Sequence, residues 1–402
     1  MPDLSFSSLA VVLTVAFVTP LALGLVPRLR VPAVVVEIVL GIVIGPSVLG
    51  WAEPDQVVKT LSVVGLAFLL FLAGLELDLT RLRGRTLRLT SLGFALTLAL
   101  AAACGFGLSA AGLVKSPLLA AVILTATSLG LVLPVLKEAG ESSTDLGQLI
   151  IAAASIADFA AIVLLSLLFS RDATGTGAKL VLLLEFAALV AVLGVGLALS
   201  GRSMRVSALL VRLQDTTAEI RVRGAVLLLI VVIVLAQHFG LETILGAFVA
   251  GAVVGLVDRD AKMTHPQFRV KLDAIGYGFV IPVFFVTSGM EFDLKALLHQ
   301  PGKLALVPIF LLALLVARGV PALLYRSTVG DKGSTAAGLL QATSLPFIVA
   351  STSIGVTLDL LTPATAAAFV AAGLGSALLF PVLALGALEA RATPTPVDLP
   401  GR

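Results

Sequence analysis

Long apolar runs, separated by short polar breaks or breaks containing Gly and Pro, make up almost the whole chain. Most runs approach the length of about 20 residues that a helix needs to cross the hydrocarbon core of a bilayer. Inside lipid the backbone must satisfy its own hydrogen bonds, which favours helices. The pattern predicts thirteen membrane spans, near residues 8–27, 32–50, 57–78, 88–113, 117–136, 147–170, 178–200, 223–238, 241–257, 273–291, 302–325, 333–355 and 362–388.

The composition agrees with an all-α membrane protein. Of 402 residues, 58% are hydrophobic and only 13% are charged, which excludes an ordinary soluble domain. The net charge of +3 gives no reason to expect a nucleic-acid partner, so the expected surroundings are the lipid bilayer. The spans contain no paired acids, metal-ligand cluster or nucleophile–base pair, which argues against an enzyme.

Positive charges are distributed unevenly between the predicted loops. With the N-terminus placed outside, 20 of the 27 basic residues fall in inside loops or the C-terminal tail, and 6 fall outside. Cytoplasmic loops of membrane proteins carry such an excess of Lys and Arg. We therefore expect a multi-pass protein of the cell membrane, with its N-terminus outside and its C-terminus in the cytoplasm.

Three motifs occur twice, and the two copies of each lie seven predicted spans apart. The pairs are Glu37-Ile-Val-Leu-Gly41 with Glu242-Thr-Ile-Leu-Gly246, Gly74-Leu-Glu76-Leu-Asp78 with Gly289-Met-Glu291-Phe-Asp293, and Ala126-Thr-Ser-Leu129 with Ala342-Thr-Ser-Leu345. Because the offset is odd, the copies have opposite orientations in the membrane. This predicts an inverted repeat, the architecture of secondary transporters, whose sites lie near the midplane on interrupted helices.

The fifth and twelfth spans contain residues that interrupt a helix. The fifth reads Thr125-Ala-Thr127-Ser128-Leu-Gly130, and the twelfth reads Gln341-Ala-Thr343-Ser344-Leu-Pro346. Gly and Pro weaken the helical hydrogen-bond ladder, and the hydroxyls can bind freed backbone groups or a small cation. We expect both spans to be broken helices that cross. The simpler alternative is a kink that only adjusts packing.

One acid, Asp158, lies near the middle of the sixth span. A carboxylate at this depth costs about 2.5–3.5 kcal/mol on insertion scales, and such residues usually handle an ion or a proton. Ser155 lies one turn earlier on the same face, and Thr127 and Ser128 lie at the predicted break. We predict that these four residues bind the proton and the cation, Na+ or K+. A protonated acid packed against a neighbouring helix is the alternative.

A second charge, Arg318, lies within the eleventh span. Arginine stays protonated in proteins, so we interpret it as a fixed counter-charge for Asp158 or for the C-termini of half-helices. A snorkelling arginine that reaches the headgroups is the alternative. Three further residues are secondary candidates for the site, namely Glu76, Thr343 and Ser344.

Together these residues resemble the bacterial monovalent cation:proton antiporters, and in particular the cation:proton antiporter-2 family, which has the sodium/proton antiporter fold. The resemblance covers about residues 8–388. It rests on an aspartate in the sixth span and on the motifs at 37–50, 71–78, 125–128 and 284–293. The family's essential aspartate falls on Asp158, and its basic residue of the eleventh span falls on Arg318.

The resemblance implies a homodimer in which each subunit has a dimer domain and a mobile bundle that carries the ion, as in an elevator. The implied parts are 1–110 (dimer-domain helices 1–3 and the start of the core), 111–175 (core with broken helix 5 and ion-site helix 6), 176–222 (linker helix 7 and a cytoplasmic loop), 223–300 (dimer-domain helices 8–10), 301–390 (core helices 11–13 with broken helix 12) and 391–402 (a short cytoplasmic tail).

The chain departs from the family pattern at one informative position. Many members have Asp, Asn or Gln directly before the essential aspartate, whereas this chain has Ala157. One clear exchangeable carboxylate remains, which favours electroneutral exchange, and Glu76 is the residue that could supply a second proton. We expect no nucleotide-binding tail after the last span, and no cofactor besides the transported ions.

The predicted function is secondary active exchange of Na+ or K+ for a proton, with a role in pH homeostasis. The alternative from another class is a sodium-coupled symporter of an organic solute on a related crossed-helix fold. It would need a larger polar cavity, whereas one carboxylate with hydroxyls suits a bare cation. A sensor or a gated channel is a third interpretation, and no continuous selectivity filter supports it.

Overall fold

The computed structural model describes residues 6–25, 31–76, 84–169, 176–202, 212, 216, 218–259, 266–298 and 301–392. These residues are predominantly helical and contain no strand. Asp78 of the repeat motif, much of the predicted cytoplasmic loop before 218 and the tail from 393 onward lie outside the described residues. Within the described part, nine helices are long and apolar enough to cross a membrane, and shorter apolar helices accompany them.

The helices of the first half are α1 (Ser7–Leu25), α2 (Ala33–Ile44), α3 (Gln56–Leu75), α4 (Gly84–Ala110), α5 (Pro117–Thr125), α6 (Leu129–Glu138), α7 (Asp145–Phe169) and α8 (Thr176–Arg202). Those of the second half are α9 (Ile220–His238), α10 (Thr243–Arg259), α11 (Pro266–Ile275), α12 (Ile281–Met290), α13 (Leu294–Leu298), α14 (Pro301–Leu304), α15 (Leu306–Leu314), α16 (Arg326–Gln341), α17 (Pro346–Thr357) and α18 (Pro363–Ala392). Each predicted span coincides with one helix or with consecutive helical segments, which confirms the predicted fold class.

The predicted separation of the eighth and ninth spans is confirmed by the backbone at the end of α9. Gly240 has a φ of +66°, in the left-handed region that glycine adopts at low cost and that commonly ends helices. The chain then turns directly into α10 after His238-Phe-Gly240.

The described chain forms two compact units. The first unit comprises α1, most of α2, α3, the end of α7 and α8–α12. Its helices approach closely at glycines: a Cβ atom at Gly74 would overlap the carbonyl oxygen of Phe248, and one at Gly251 would overlap that of Phe71. Small residues allow such backbone contact between membrane helices, so α3 and α10 pack with almost no side chain between them.

The second unit comprises α4–α6, most of α7 and α13–α18. An apolar core joins α6 and α7 to α16 and α18, and the fully buried Tyr325 is part of it. Phe310 and Phe369 stack with ring centroids 3.7 Å apart. All residues predicted to bind the ion lie in this unit.

The eleventh predicted span departs from regular α-helix around Arg318. After α15 the chain forms one π-helical turn, Leu315–Gly319, and then a 3-10 segment, Val320–Tyr325. A π turn inside a helix amounts to one inserted residue and is frequent at functional sites. Arg318 lies on this widened turn.

Candidate ion-binding site

Two helices of the second unit are interrupted, as predicted. Between α5 and α6 the backbone of Ala126 and Ser128 is extended, with φ/ψ values of −75°/153° and −140°/97°. Between α16 and α17 the helix stops after Gln341 and resumes at Pro346, where proline suits the first helical position because it has no N–H to donate. Pro134 lies inside α6, so the first break comes from the Thr-Ser segment and not from that proline.

The two breaks meet. Thr127 Oγ1 donates a hydrogen bond to the carbonyl oxygen of Thr343 over 3.3 Å, and these residues are 1% and 0% exposed. Helical backbone groups would already be paired, whereas an unwound segment offers its carbonyls to neighbours. The crossing therefore brings together hydroxyl and carbonyl oxygens, the ligand type that hard cations prefer.

The side chain of Asp158, which belongs to α7, lies beside the start of α6, the half-helix that follows the first break. Its Oδ2 accepts a long hydrogen bond of 3.4 Å from the backbone N–H of Leu129, the first residue of α6. The residue is only partly buried, in contrast to its neighbour Ala157, which is 0% exposed. The N-terminus of a helix carries a partial positive charge, so α6 favours the ionised carboxylate.

The other predicted oxygens are buried near the breaks. Ser155 Oγ donates to the carbonyl of Ile151, one turn back in α7, over 2.9 Å. Its lone pairs still allow it to accept a hydrogen bond or to bind a cation. Ser128 forms no side-chain cap at the start of α6, and Ser344 Oγ has no hydrogen-bond partner among the described residues. Thr343 Oγ1 donates to Leu339 O over 3.2 Å.

Arg318 is buried inside the unit instead of reaching outward, with 1% of its surface exposed. Its Nε lies 3.3 Å from the carbonyl oxygen of Gln341, at the end of α16, and its Nη1 lies 3.4 Å from Thr97 Oγ1 on α4. The charge of Asp158 also acts on the guanidinium. Arg318 thus lies at the end of one half-helix, and Asp158 lies beside the start of another.

Two parts of this arrangement were not singled out from the sequence. Thr97 follows Thr90 by two helical turns, and both are fully buried on α4, so a polar pair at that spacing was the available signal. Ser376, on α18, contacts the second break and has no distinguishing sequence context. Glu76, the secondary acidic candidate, is the C-cap of α3 and belongs to the first unit.

The described residues contain no cluster of three or more His, Cys, Asp or Glu side chains that could hold a metal ion.

Comparison with known proteins identifies relatives of this chain. The chain is 32% identical over 397 residues to a putative Na+/H+ antiporter, YjbQ, of Bacillus subtilis, with 95% of this chain and 63% of that protein covered. It is 30% identical over 352 residues to the Na+/H+-K+ antiporter GerN of Bacillus cereus, with 84% and 85% covered. The chain thus spans less than two thirds of the length of YjbQ and most of GerN.

The fold also matches a solved structure. The sodium proton antiporter MjNhaP1 of Methanocaldococcus jannaschii superposes with a TM-score of 0.66 over 95% of this chain and 96% of that one, at 18% identity. The family model described as "Sodium/hydrogen exchanger, transmembrane" matches residues 13–385. The resemblance noted from the motifs is thereby confirmed, and this chain belongs to the transmembrane sodium/hydrogen exchanger family.

Proposed function

We propose that this chain exchanges Na+ or K+ for a proton across the cell membrane. The names of its relatives support this assignment, since YjbQ is named a putative Na+/H+ antiporter and GerN a Na+/H+-K+ antiporter. The observation that carries the proposal is the position of Asp158, a partly buried carboxylate at the N-terminus of a half-helix, near two crossing unwound segments.

In the proposed mechanism, a proton and a cation compete for one carboxylate. Burial favours the protonated acid, whereas a cation or the N-terminus of α6 favours the ionised form. When Asp158 is ionised, the cation binds it together with oxygens of Thr127, Ser155 and Ser128. Arg318 compensates charge at the adjacent helix ends, and Thr343 and Ser344 complete the second half of the crossing.

The transport cycle follows from this competition. The second unit carries either the proton or the cation across as an elevator-type bundle, and the first unit forms the interface of a homodimer. The excess of basic residues in the predicted inside loops supports an outside N-terminus and a cytoplasmic C-terminus. A sodium-coupled symporter would need a cavity for an organic solute, and the site described here consists of a carboxylate and small oxygen ligands.

Ion-dependent proton movement in liposomes tests this function. We expect an imposed outward Na+ or K+ gradient to acidify the lumen of proteoliposomes that contain the purified protein and an internal pH dye. Choline in place of the cation is the control and should produce no change. Uptake of an organic solute that depends on Na+, without counter-movement of protons, would contradict the proposal and support the symporter.

The single carboxylate also determines the expected stoichiometry. If Asp158 carries one proton one way and one monovalent cation the other, no net charge moves, so the initial rate should not depend on membrane potential. A two-proton cycle would move one charge, worth about 2.3 kcal/mol per 100 mV. Exchange measured at potentials clamped by an independent diffusion gradient checks this. A rate or end point that follows the voltage would contradict one-for-one exchange and implicate a second titrating group such as Glu76.

A further inference from the structure

A hydroxyl on α18 holds the backbone of the second break. Ser376 Oγ accepts a hydrogen bond from the backbone N–H of Ser344 over 3.1 Å. The same oxygen lies 3.0 Å from Ser344 O and 2.8 Å from Gly373 O, and its single proton can serve either carbonyl. Ser376 is 0% exposed. One buried side chain thus lies within hydrogen-bond distance of both backbone polar groups of Ser344, which belongs to no regular helix.

One turn earlier in α18, the lack of a side chain at Gly373 leaves room for the second break. A Cβ atom at Gly373 would lie 3.1 Å from Ser344 O and 3.2 Å from Ile348 Cδ1, closer than packing normally allows. Residues three apart share one helix face. Gly373 therefore lets the second break approach α18, and Ser376 fixes it there by hydrogen bonds.

The first break is held in a related way by a different chemical group. Asp158, on the helix that follows α6, accepts the N–H of Leu129, directly after the break. Ser376, on the helix that follows α17, accepts the N–H of Ser344 within the break. In the two halves of the predicted repeat, an exchangeable acid thus faces one break and a neutral hydroxyl faces the other. Only the first of these contacts can change with protonation or cation binding.

The hydrogen bond between Ser376 and Ser344 lies one peptide unit away from the proposed cation ligands. Thr343 immediately precedes Ser344, and its carbonyl accepts the Thr127 hydroxyl. We infer that Ser376 is a positioning residue of the ion site: it holds the second break so that the Thr343 carbonyl orients Thr127 for the cation. The inference rests on the proposed function, because Thr127 is a cation ligand only if the site binds one.

The test replaces Ser376 by Ala, with Ser376→Cys as a variant that keeps the volume and weakens the hydrogen bonds. Losing a hydrogen bond should raise the KM for Na+ about fivefold with kcat within about twofold, and the Cys variant should fall between the Ala variant and the wild type. Ser351→Ala is the matched control. Ser351 is also 0% exposed, but among the described residues its hydroxyl forms hydrogen bonds only with Phe347 O and Ile348 O of its own helix, so the KM of this variant should not change.

A double-mutant cycle then tests whether Ser376 acts through Thr127. We expect Thr127→Val to raise the KM at least as much as Ser376→Ala, and the double variant to resemble Thr127→Val alone, since residues that share one contact are not additive. The inference would be overturned if the KM increases of the two single variants multiplied in the double variant. It would also be overturned if Ser376→Ala lost thermal stability while its KM stayed unchanged.

Protection of the protein by Na+ against thermal unfolding separates this inference from the proposed function. A ligand that binds the folded state raises its stability by RT ln(1 + [L]/Kd), with no need for transport. Ser376→Cys should require several times more Na+ than wild type or Ser351→Ala for the same rise in Tm. An identical dependence of Tm on Na+ concentration in all three would overturn the positioning role. Normal protection without proton exchange in the wild type would instead contradict the proposed function.

Discussion

Asp158→Asn is expected to abolish exchange while preserving the fold. Asparagine has nearly the same size and keeps an oxygen that can accept the Leu129 N–H, so the contact that caps α6 survives. It can neither release a proton nor neutralise a cation, and competition between the two ions disappears. We expect cation-dependent proton movement to fall to about 1% of wild type or less, because asparagine carries no exchangeable charge.

The measurement is proton movement in proteoliposomes with equal amounts of folded protein, verified by thermal unfolding. Asp145→Asn is the control, because Asp145 is an exposed acid in the first turn of the same helix, α7. That variant should exchange at close to the wild-type rate. Substantial exchange by Asp158→Asn would show that another group carries the proton, and the proposed mechanism would be wrong.

Arg318→Ala is expected to have the second largest effect, on both stability and transport. Arg318 is almost fully buried and joins Thr97, the Gln341 carbonyl and the charge of Asp158. Removing the buried guanidinium leaves the Gln341 carbonyl and the Thr97 hydroxyl without this donor, and a buried polar group left unpaired costs about 1–3 kcal/mol. The pH dependence of exchange should shift toward higher pH, because the ionised carboxylate loses a nearby positive charge.

Two further variants make this prediction specific. Arg318→Lys keeps the charge but loses the planar fork of donors, so its effects should be smaller in both measurements. Arg326→Ala is the control, since Arg326 forms an exposed ion pair with Asp331 in which Nη2 and Oδ2 lie 2.8 Å apart, and exposed pairs contribute little. An Arg318→Ala variant with wild-type stability and pH profile would contradict the role of counter-charge.

The sequence predicted the features that depend on local chemistry. Helical spans follow from the apolar runs because lipid leaves the backbone few alternatives. The breaks at Thr127 and Thr343 follow from Gly, Pro and hydroxyl residues at matched positions. The cost of a charge at that depth singles out Asp158, whose role in ion binding stays a prediction. Each of these rests on a residue and its immediate neighbours in the chain.

Features that depend on packing between helices had no comparable signal in the sequence. Ser376 is one of several small residues in an Ala- and Gly-rich span, and only the approach of α18 to the second break gives its hydroxyl a partner. Thr97 likewise gains a partner only because Arg318 reaches α4. A small polar residue costs little in a membrane helix, so its presence alone does not reveal a contact with a distant part of the chain.

The π turn at Leu315–Gly319 affects which changes of chain length this protein can accept. In a regular helix each residue advances the side-chain direction by about 100°, so a one-residue deletion there turns everything that follows by that angle. A π turn differs because its wider winding already accommodates one extra residue. Deleting one residue between Leu315 and Ala317 would therefore restore regular winding with little rotation of α15 relative to the segment that follows. In an alignment of related sequences, a one-residue gap here would mark a branch that lacks the widened turn around the arginine.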